Sequence, residues 1–136
     1  MSKKQITNLL SWSVLALVAL FLAYTKGWIF TNFESISPKQ AHEMLLKDKN
    51  VVLLDVRTPD EFSQEFIEGA TLIPVQALND TLFKLEDKKD KTIIVYCHSG
   101  NRSVTASRIL SDNGFHPLNL KGGIAQWKSD GLPVVH

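Results

Sequence analysis

A single cysteine, Cys97, stands where an apolar segment gives way to a polar loop, and this setting suits nucleophilic chemistry. The loop contains Gly100 and Arg102, and a segment with helical apolar spacing follows it at once. Backbone N–H groups at the start of a helix favour an anion, and the charge of Arg102 adds to their effect. We therefore predict that Cys97 is a reactive thiolate and acts as a nucleophile.

Two other readings of this loop remain open. A lone cysteine is often a buried and inert residue, so Cys97 could simply belong to the core. His98 could be a general base, but neighbouring loop residues point in different directions, so we expect it at the rim of the site. The position of Cys97 at the end of a predicted strand favours a reactive role, because ligands of open α/β sheets bind at the carboxyl ends of strands.

Composition excludes several other kinds of site. One cysteine cannot form an internal disulfide or a zinc site built on several thiolates, and the four histidines show no metal-ligand spacing. We predict no metal and no cofactor. The net charge of +1 gives no indication of nucleic-acid binding.

Strands and helices alternate along the part of the chain that must position Cys97. The clearest strand prediction is Thr92–Tyr96, which is β-branched and aromatic and ends at Cys97. Further strands are predicted over 33–36, 51–54, 71–73 and 118–120, and helices from Pro38, from Pro59, over 75–85, over 103–113 and from Gly122-Gly123 through Trp127. This alternation predicts an α/β domain over 33–136, with a mainly parallel central sheet flanked by helices.

A different segment precedes the domain. Residues 5–25 form a run of 21 residues without a formal charge. As a helix it would be about 30 Å long, which matches the hydrocarbon thickness of a bilayer. We predict a membrane anchor over residues 1–30, with a transmembrane helix at about 6–25. A cleaved secretory signal is the alternative, but small residues are poorly placed for cleavage after Ala23.

The flanking lysines predict an orientation for a single-pass membrane protein. Lys3 and Lys4 lie before the apolar run, whereas only Lys26 lies close after it. The positive-inside rule then keeps the N-terminus in the cytoplasm and puts the domain on the extracytoplasmic side. The margin is two lysines, so the cytoplasmic side remains the alternative for the domain.

Several motifs in residues 33–136 together resemble the single-domain rhodaneses, a family of sulfurtransferases. The loop Cys97-His98-Ser99-Gly100-Asn101-Arg102-Ser103 resembles the family's active-site loop. The other matching motifs are Leu54-Asp55-Val56-Arg57 with Glu61-Phe62, Gly69-Ala70, Ile73-Pro74, Leu120-Lys121-Gly122-Gly123 with Trp127, and Gly131-Leu132-Pro133-Val134. Each motif is weak alone, but their order and spacing make the resemblance specific.

The resemblance implies a rhodanese-like domain that transfers sulfur without a metal or organic cofactor. Cys97 would take the outer sulfur of a small sulfur-containing anion such as thiosulfate, or of a persulfide donor, and become a persulfide. Cyanide or another thiol would then accept that sulfur. The residues that would bind the sulfur species are His98, Ser99, Gly100, Asn101, Arg102 and Ser103. Four residues separate Cys97 from Arg102, as in sulfurtransferases, whereas related phosphatases and arsenate reductases have a longer loop.

The sequence also departs from the family pattern. His98 replaces a frequent arginine, which affects the preference for anionic donors, and Leu72 replaces a common asparagine. Asp55, Arg57 and Glu61 could be catalysts, but we interpret them as an ion-paired brace beneath the loop, because paired buried charges are commonly structural.

Two further functions stay open from the sequence. The domain could carry a persulfide for a partner without turning over small donors. It could also be a phosphatase or an oxyanion reductase, which the loop length disfavours.

Overall fold

A computed structural model describes all residues from Met1 to His136, and the chain divides into two compact units, Met1–Thr31 and Asn32–His136. The first unit contains helix α1, Lys3–Thr25, in which no residue is buried. The helix begins before the apolar run because Ser2 and Gln5 form a reciprocal cap at its start. By length and composition α1 could cross a membrane, and a secretory signal would meet the same criterion.

The second unit is a five-stranded parallel sheet with helices on both faces, as the alternation of elements predicted. Its strands lie in the order β1-β5-β4-β2-β3, and every neighbouring pair is parallel. The strands are β1 Glu34–Ile36, β2 Val51–Asp55, β3 Thr71–Leu72, β4 Thr92–Tyr96 and β5 His116–Leu120, and the helices are α2 Pro38–Lys47, α3 Pro59–Gln64, α4 Val75–Leu78, α5 Asn101–Asp112 and α6 Gly123–Ser129, with a 3₁₀ segment at Asn79–Lys88.

The central strands are apolar on both faces because both faces are covered. On one face Ile93, Val95 and Cys97 pack in a core that includes Leu110 of α5. On the other face Ile94 and Tyr96 pack in a core that includes Trp127 of α6. Side chains of a strand alternate between the two faces of the sheet, so Cys97 lies on the same face as Ile93 and Val95, the face that α5 covers.

Two predicted helix boundaries were wrong. The helix expected over 75–85 is a short α4 followed by the 3₁₀ segment, with a non-helical conformation at Thr81. Its hydroxyl donates to the Ala77 carbonyl at 2.8 Å, so a side chain replaces a helical backbone bond there. Helix α5 begins at Asn101 and not at Ser103, because Gly100 before it adopts φ +112° and turns the chain directly out of the loop.

Candidate active site

Cys97 follows the last residue of β4, at the carboxyl edge of the sheet where β2 also ends. Its residue exposure is only 1%, and its side chain belongs to the core cluster on the α5 face. The sulfur nevertheless has polar neighbours. The Gly100 N–H donates to Cys97 Sγ at 3.1 Å, and Ser103 Oγ lies 3.5 Å from the same atom.

Ser103 connects the sulfur to the backbone of the loop. This residue is fully buried in the first turn of α5, and its hydroxyl donates to the Gly100 carbonyl at 3.2 Å. One loop residue, Gly100, therefore donates to the sulfur and also accepts from Ser103. The sulfur thus accepts one amide N–H, a donor of the kind that stabilises negative charge on sulfur. The Ser103 hydroxyl directs its own proton to the Gly100 carbonyl and so fixes the loop residue that supplies this N–H.

The remaining predicted loop residues form its outer rim. His98, Ser99 and Asn101 are exposed, and Arg102 is half-buried. Of the six predicted binding residues after Cys97, the structure brings Gly100 and Ser103 to the sulfur, whereas the Arg102 guanidinium binds Glu61. Their roles in binding a substrate stay predictions.

The guanidinium of Arg102 has a partner that the sequence did not reveal. Its two terminal nitrogens bind the two carboxylate oxygens of Glu61 at 2.6 and 2.9 Å. The hydrogen bond from Arg102 is the main reason that the pKa of Glu61 falls to about 2. Glu61 also accepts from the backbone N–H of Thr58, as part of the cap that starts α3. Arg102 therefore ties α5 to α3 beside the loop.

Asp55 and Arg57 form a separate ion pair at the end of β2. The carboxylate of Asp55 is fully buried, and Arg57 donates to it from Nε at 3.0 Å and from a terminal nitrogen at 2.7 Å. Arg57 also donates to the Glu65 carbonyl at 2.7 Å. The three residues interpreted as one brace are thus divided between two ion pairs.

Tyr96 completes this buried group, and sequence reasoning missed it. The Arg57 guanidinium lies over its ring, 5.5 Å from the centroid, and its hydroxyl accepts from the Ile67 N–H at 3.1 Å. Burial, followed by its hydrogen bond to Asp55, raises the pKa of Tyr96. A tyrosine at the end of a buried strand could have indicated a buried polar group nearby, since a buried phenol needs a hydrogen-bond partner.

Helix α6 also holds the backbone of the Cys97 loop through two hydrogen bonds. Ile124 N–H donates to the Cys97 carbonyl at 2.9 Å, and Ala125 N–H donates to the His98 carbonyl at 3.0 Å. Both donors lie in the first turn of α6, where helical N–H groups have no partner within the helix. The Gly122-Gly123 pair, predicted as the start of this helix, comes directly before them.

Comparisons with known proteins give one consistent result. The family model of the rhodanese-like domain matches residues 37–130. A sulfurtransferase of Allochromatium vinosum is 35% identical over 101 residues, which cover 74% of this chain and 92% of that protein. A thiosulfate sulfurtransferase of Ectopseudomonas mendocina is 33% identical, over 73% of this chain and 88% of that protein.

A thiosulfate sulfurtransferase of Escherichia coli is 34% identical, over 60% of this chain and 76% of that protein. Among solved structures, a rhodanese-related protein from Thermoplasma volcanium superposes with a TM-score of 0.69. It is 35% identical, and the match covers 76% of this chain and 98% of that one.

Proposed function

This chain belongs to the rhodanese-like family of sulfurtransferases, and from that premise we propose that it transfers sulfane sulfur through a persulfide on Cys97. The donor is thiosulfate or a related sulfur compound, and the acceptor is cyanide or a thiol. The observation that carries the proposal is the environment of the Cys97 sulfur, which contacts the Gly100 N–H and lies beside the Ser103 hydroxyl. The names of two relatives, both thiosulfate sulfurtransferases, support the choice of donor.

In the first half-reaction the Cys97 thiolate attacks the outer sulfur of thiosulfate. A sulfur–sulfur bond to Cys97 forms, the sulfur–sulfur bond of thiosulfate breaks, and sulfite leaves with the bonding electron pair. In the second half-reaction cyanide attacks the terminal sulfur of the persulfide. Thiocyanate leaves and the Cys97 thiolate is restored, so no external oxidant or reductant is consumed.

The loop stabilises the charged states of this cycle. Negative charge stays on sulfur before and after the first transfer, and preorganised N–H donors stabilise such charge without rearranging. Arg102 contributes in a different way, because Glu61 already binds both of its terminal nitrogens. We therefore assign to Arg102 the role of fixing the start of α5, where Ser103 meets the sulfur.

The test is a thiosulfate:cyanide assay on the full chain in detergent, with wild type and Cys97→Ser compared. We expect thiocyanate from the wild type and none from Cys97→Ser, since an alcohol at this position cannot form a persulfide. Mass spectrometry after thiosulfate alone should find one added sulfur atom on the wild type only. Equal turnover by the two proteins would contradict the proposal.

The same measurements, with a phosphate ester as an additional substrate, separate the two alternative functions from sulfur transfer. A persulfide on Cys97 without thiocyanate formation would favour the persulfide carrier. Hydrolysis of a phosphate ester faster than turnover of thiosulfate would favour a phosphatase and would overturn the argument from loop length.

We also propose that α1 anchors the protein in a membrane as an uncleaved single span, with the domain on the extracytoplasmic side. The length and apolar composition of α1 support a span. Lys3 and Lys4 on one side of the span and Lys26 on the other support the orientation.

A further inference from the structure

We propose that Gly123 is a positioning residue for sulfur transfer, because the absence of a side chain there lets α6 hold the backbone of the active-site loop. The proposal rests on the sulfurtransferase function given above. It gives a specific role to a glycine that the sequence predicted only at the start of a helix.

The contact between α6 and the loop runs through backbone atoms. Ile124 and Ala125 donate their N–H groups to the carbonyls of Cys97 and His98 at 2.9 and 3.0 Å. A peptide unit is planar and trans, so a carbonyl fixed in one direction directs the next N–H the opposite way. The N–H groups of His98 and Ser99 therefore point away from α6, and the following N–H, that of Gly100, donates to Cys97 Sγ at 3.1 Å.

Only a residue without a side chain fits between these elements. A Cβ at position 123 would overlap the Cys97 carbonyl oxygen, and it would lie 2.5 Å from the His98 oxygen and 2.6 Å from the His98 carbonyl carbon. All three atoms are backbone, so no side-chain rotation relieves the overlap. Gly123 also adopts φ +61°, which residues with a side chain rarely do. An alanine there must displace the loop or break the contact with α6.

Other glycines of the domain do not share this arrangement. A Cβ at Gly122 would meet the side chain of Gln126 in α6 itself and not the loop. Gly131 has a similar conformation, with φ +77°, but a Cβ there would meet nothing within 4 Å. Gly131→Ala therefore reproduces the backbone strain of Gly123→Ala without the contact to the loop.

The experiment compares wild type, Gly123→Ala and Gly131→Ala as full chains in detergent. Both substitutions should lower the urea midpoint. We expect kcat/KM for thiosulfate to fall roughly 10- to 100-fold in Gly123→Ala, less than the roughly 100- to 1,000-fold for complete loss of a preorganised donor, because the Gly100 N–H is displaced and not removed. In Gly131→Ala it should stay within about threefold of wild type.

A second measurement responds to the loop and not to global stability. The rate of Cys97 alkylation by iodoacetamide at about pH 7, relative to that at about pH 10, reports how well the loop stabilises the thiolate. This ratio should fall in Gly123→Ala and not in Gly131→Ala. The amides of Ile124 and Ala125 should also lose protection from hydrogen exchange in Gly123→Ala alone.

If Gly123→Ala does not fold, Ala125→Pro decides the matter. Ala125 is exposed and lies in the first turn of α6, where proline is tolerated. This change removes the donor to His98 and puts the ring Cδ against the His98 oxygen, so it breaks the contact of the loop with α6 without changing Gly123. A lower alkylation ratio in either folded variant supports the positioning role. Ratios and rates that match those of Gly131→Ala overturn it, whereas a wild type without persulfide formation overturns the proposed function itself.

Discussion

Ser103 and Ser107 lie one turn apart on α5 and are both fully buried, yet their hydroxyls have different surroundings. Ser103 lies beside the Cys97 sulfur and donates to the Gly100 carbonyl. The hydroxyl of Ser107 has no hydrogen-bond partner. The pair therefore offers a matched test of whether the polar contact at sulfur matters for transfer.

We expect Ser103→Ala to lower kcat/KM for thiosulfate by about tenfold, because the Gly100 carbonyl loses its hydrogen bond and the loop then holds the Gly100 N–H less firmly at the sulfur. Ser107→Ala should leave the rate unchanged and raise the free energy of unfolding by about 1 kcal/mol, since it removes an unsatisfied buried group. Steady-state kinetics and urea unfolding measure these effects. Equal kinetic losses in the two variants would show that the Ser103 contact has no special role.

Glu61 gives the domain a specific dependence of stability on pH. Its pKa is about 2 in the folded protein and 4.5 without partners. The unfolded chain therefore binds more protons than the folded one between these values, so the stabilisation is complete above about pH 4.5 and is lost as the pH falls towards 2. The difference in free energy of unfolding between wild type and Glu61→Gln should follow this course.

Urea unfolding at a series of pH values measures that difference. Added salt should reduce it, because the Glu61 and Arg102 side chains are 31% and 32% exposed. A difference that is the same at about pH 3, inside the titration range, and at about pH 6, outside it, would contradict the pairing.

At the scale of elements, two ion pairs fix the surroundings of the loop in different ways. Glu61 and Arg102 join α3 to α5 and are partly exposed. Asp55 and Arg57 lie buried beside Tyr96, and Arg57 reaches the Glu65 carbonyl after α3. The buried pair holds the chain between β2 and β3 against β4.

We expect Asp55→Asn to lower the free energy of unfolding by about 3 kcal/mol, because it leaves the charge of Arg57 buried without a counter-ion. Glu86→Gln is the control. Glu86 pairs with Lys89, the two side chains are 63% and 45% exposed, and the loss should be below about 0.5 kcal/mol. Urea unfolding checks both values.

Kinetics on folded Asp55→Asn tests the alternative role as a catalyst. If Asp55 only supports the structure, the transfer rate per folded molecule should stay within about threefold of wild type. A far larger loss of kcat at full folding would show that Asp55 takes part in the chemistry.

Local patterns were sufficient to predict most of the sheet and its helices. The apolar run at 51–54 and the β-branched run at Thr92–Tyr96 are β2 and β4. Helices α2 and α3 begin at Pro38 and Pro59 as predicted, with Ser37 and Thr58 as their caps. The 3₁₀ segment was missed because its apolar spacing resembles that of a helix, while the Thr81 side chain competes for a backbone carbonyl.

The site was less predictable, because its contacts join residues that are far apart in sequence. Cys97 and its loop were recognisable from a short motif and its place after a strand. The pairing of Arg102 with Glu61 spans 41 residues, and the contact of α6 with the Cys97 carbonyl is made by backbone atoms. The Gly122-Gly123 pair marks the second contact in the sequence, but neither pattern names the partner, which follows from the packing of whole elements.

At the scale of the whole molecule, α1 differs in kind from the domain, since none of its residues is buried within the protein. Many of its apolar side chains, among them Leu17 and Phe21, are more than half exposed. Such a helix is stable in a bilayer, where its backbone bonds are all internal. It would otherwise expose a large apolar surface to water.

We expect the full chain, made in a bacterial host, to sediment with membranes and to resist alkaline extraction, with Met1 or Ser2 at its N-terminus. Protease added to spheroplasts should digest the domain. The combined change Lys3→Gln and Lys4→Gln removes the charge bias and should leave part of the domain protected. An N-terminus after residue 23 would show instead that α1 is a cleaved secretory signal.

The pairing of β1 with β5 also bears on the order of events during synthesis. Glu34, near the start of the domain, lies beside Leu118 in the finished sheet. A ribosome adds about 5–20 residues per second, so β1 waits for several seconds before its neighbour is made. Helix α1 is synthesised before that wait begins. In the orientation proposed above, the translocation machinery therefore meets a domain whose sheet cannot yet have closed and which can still be threaded.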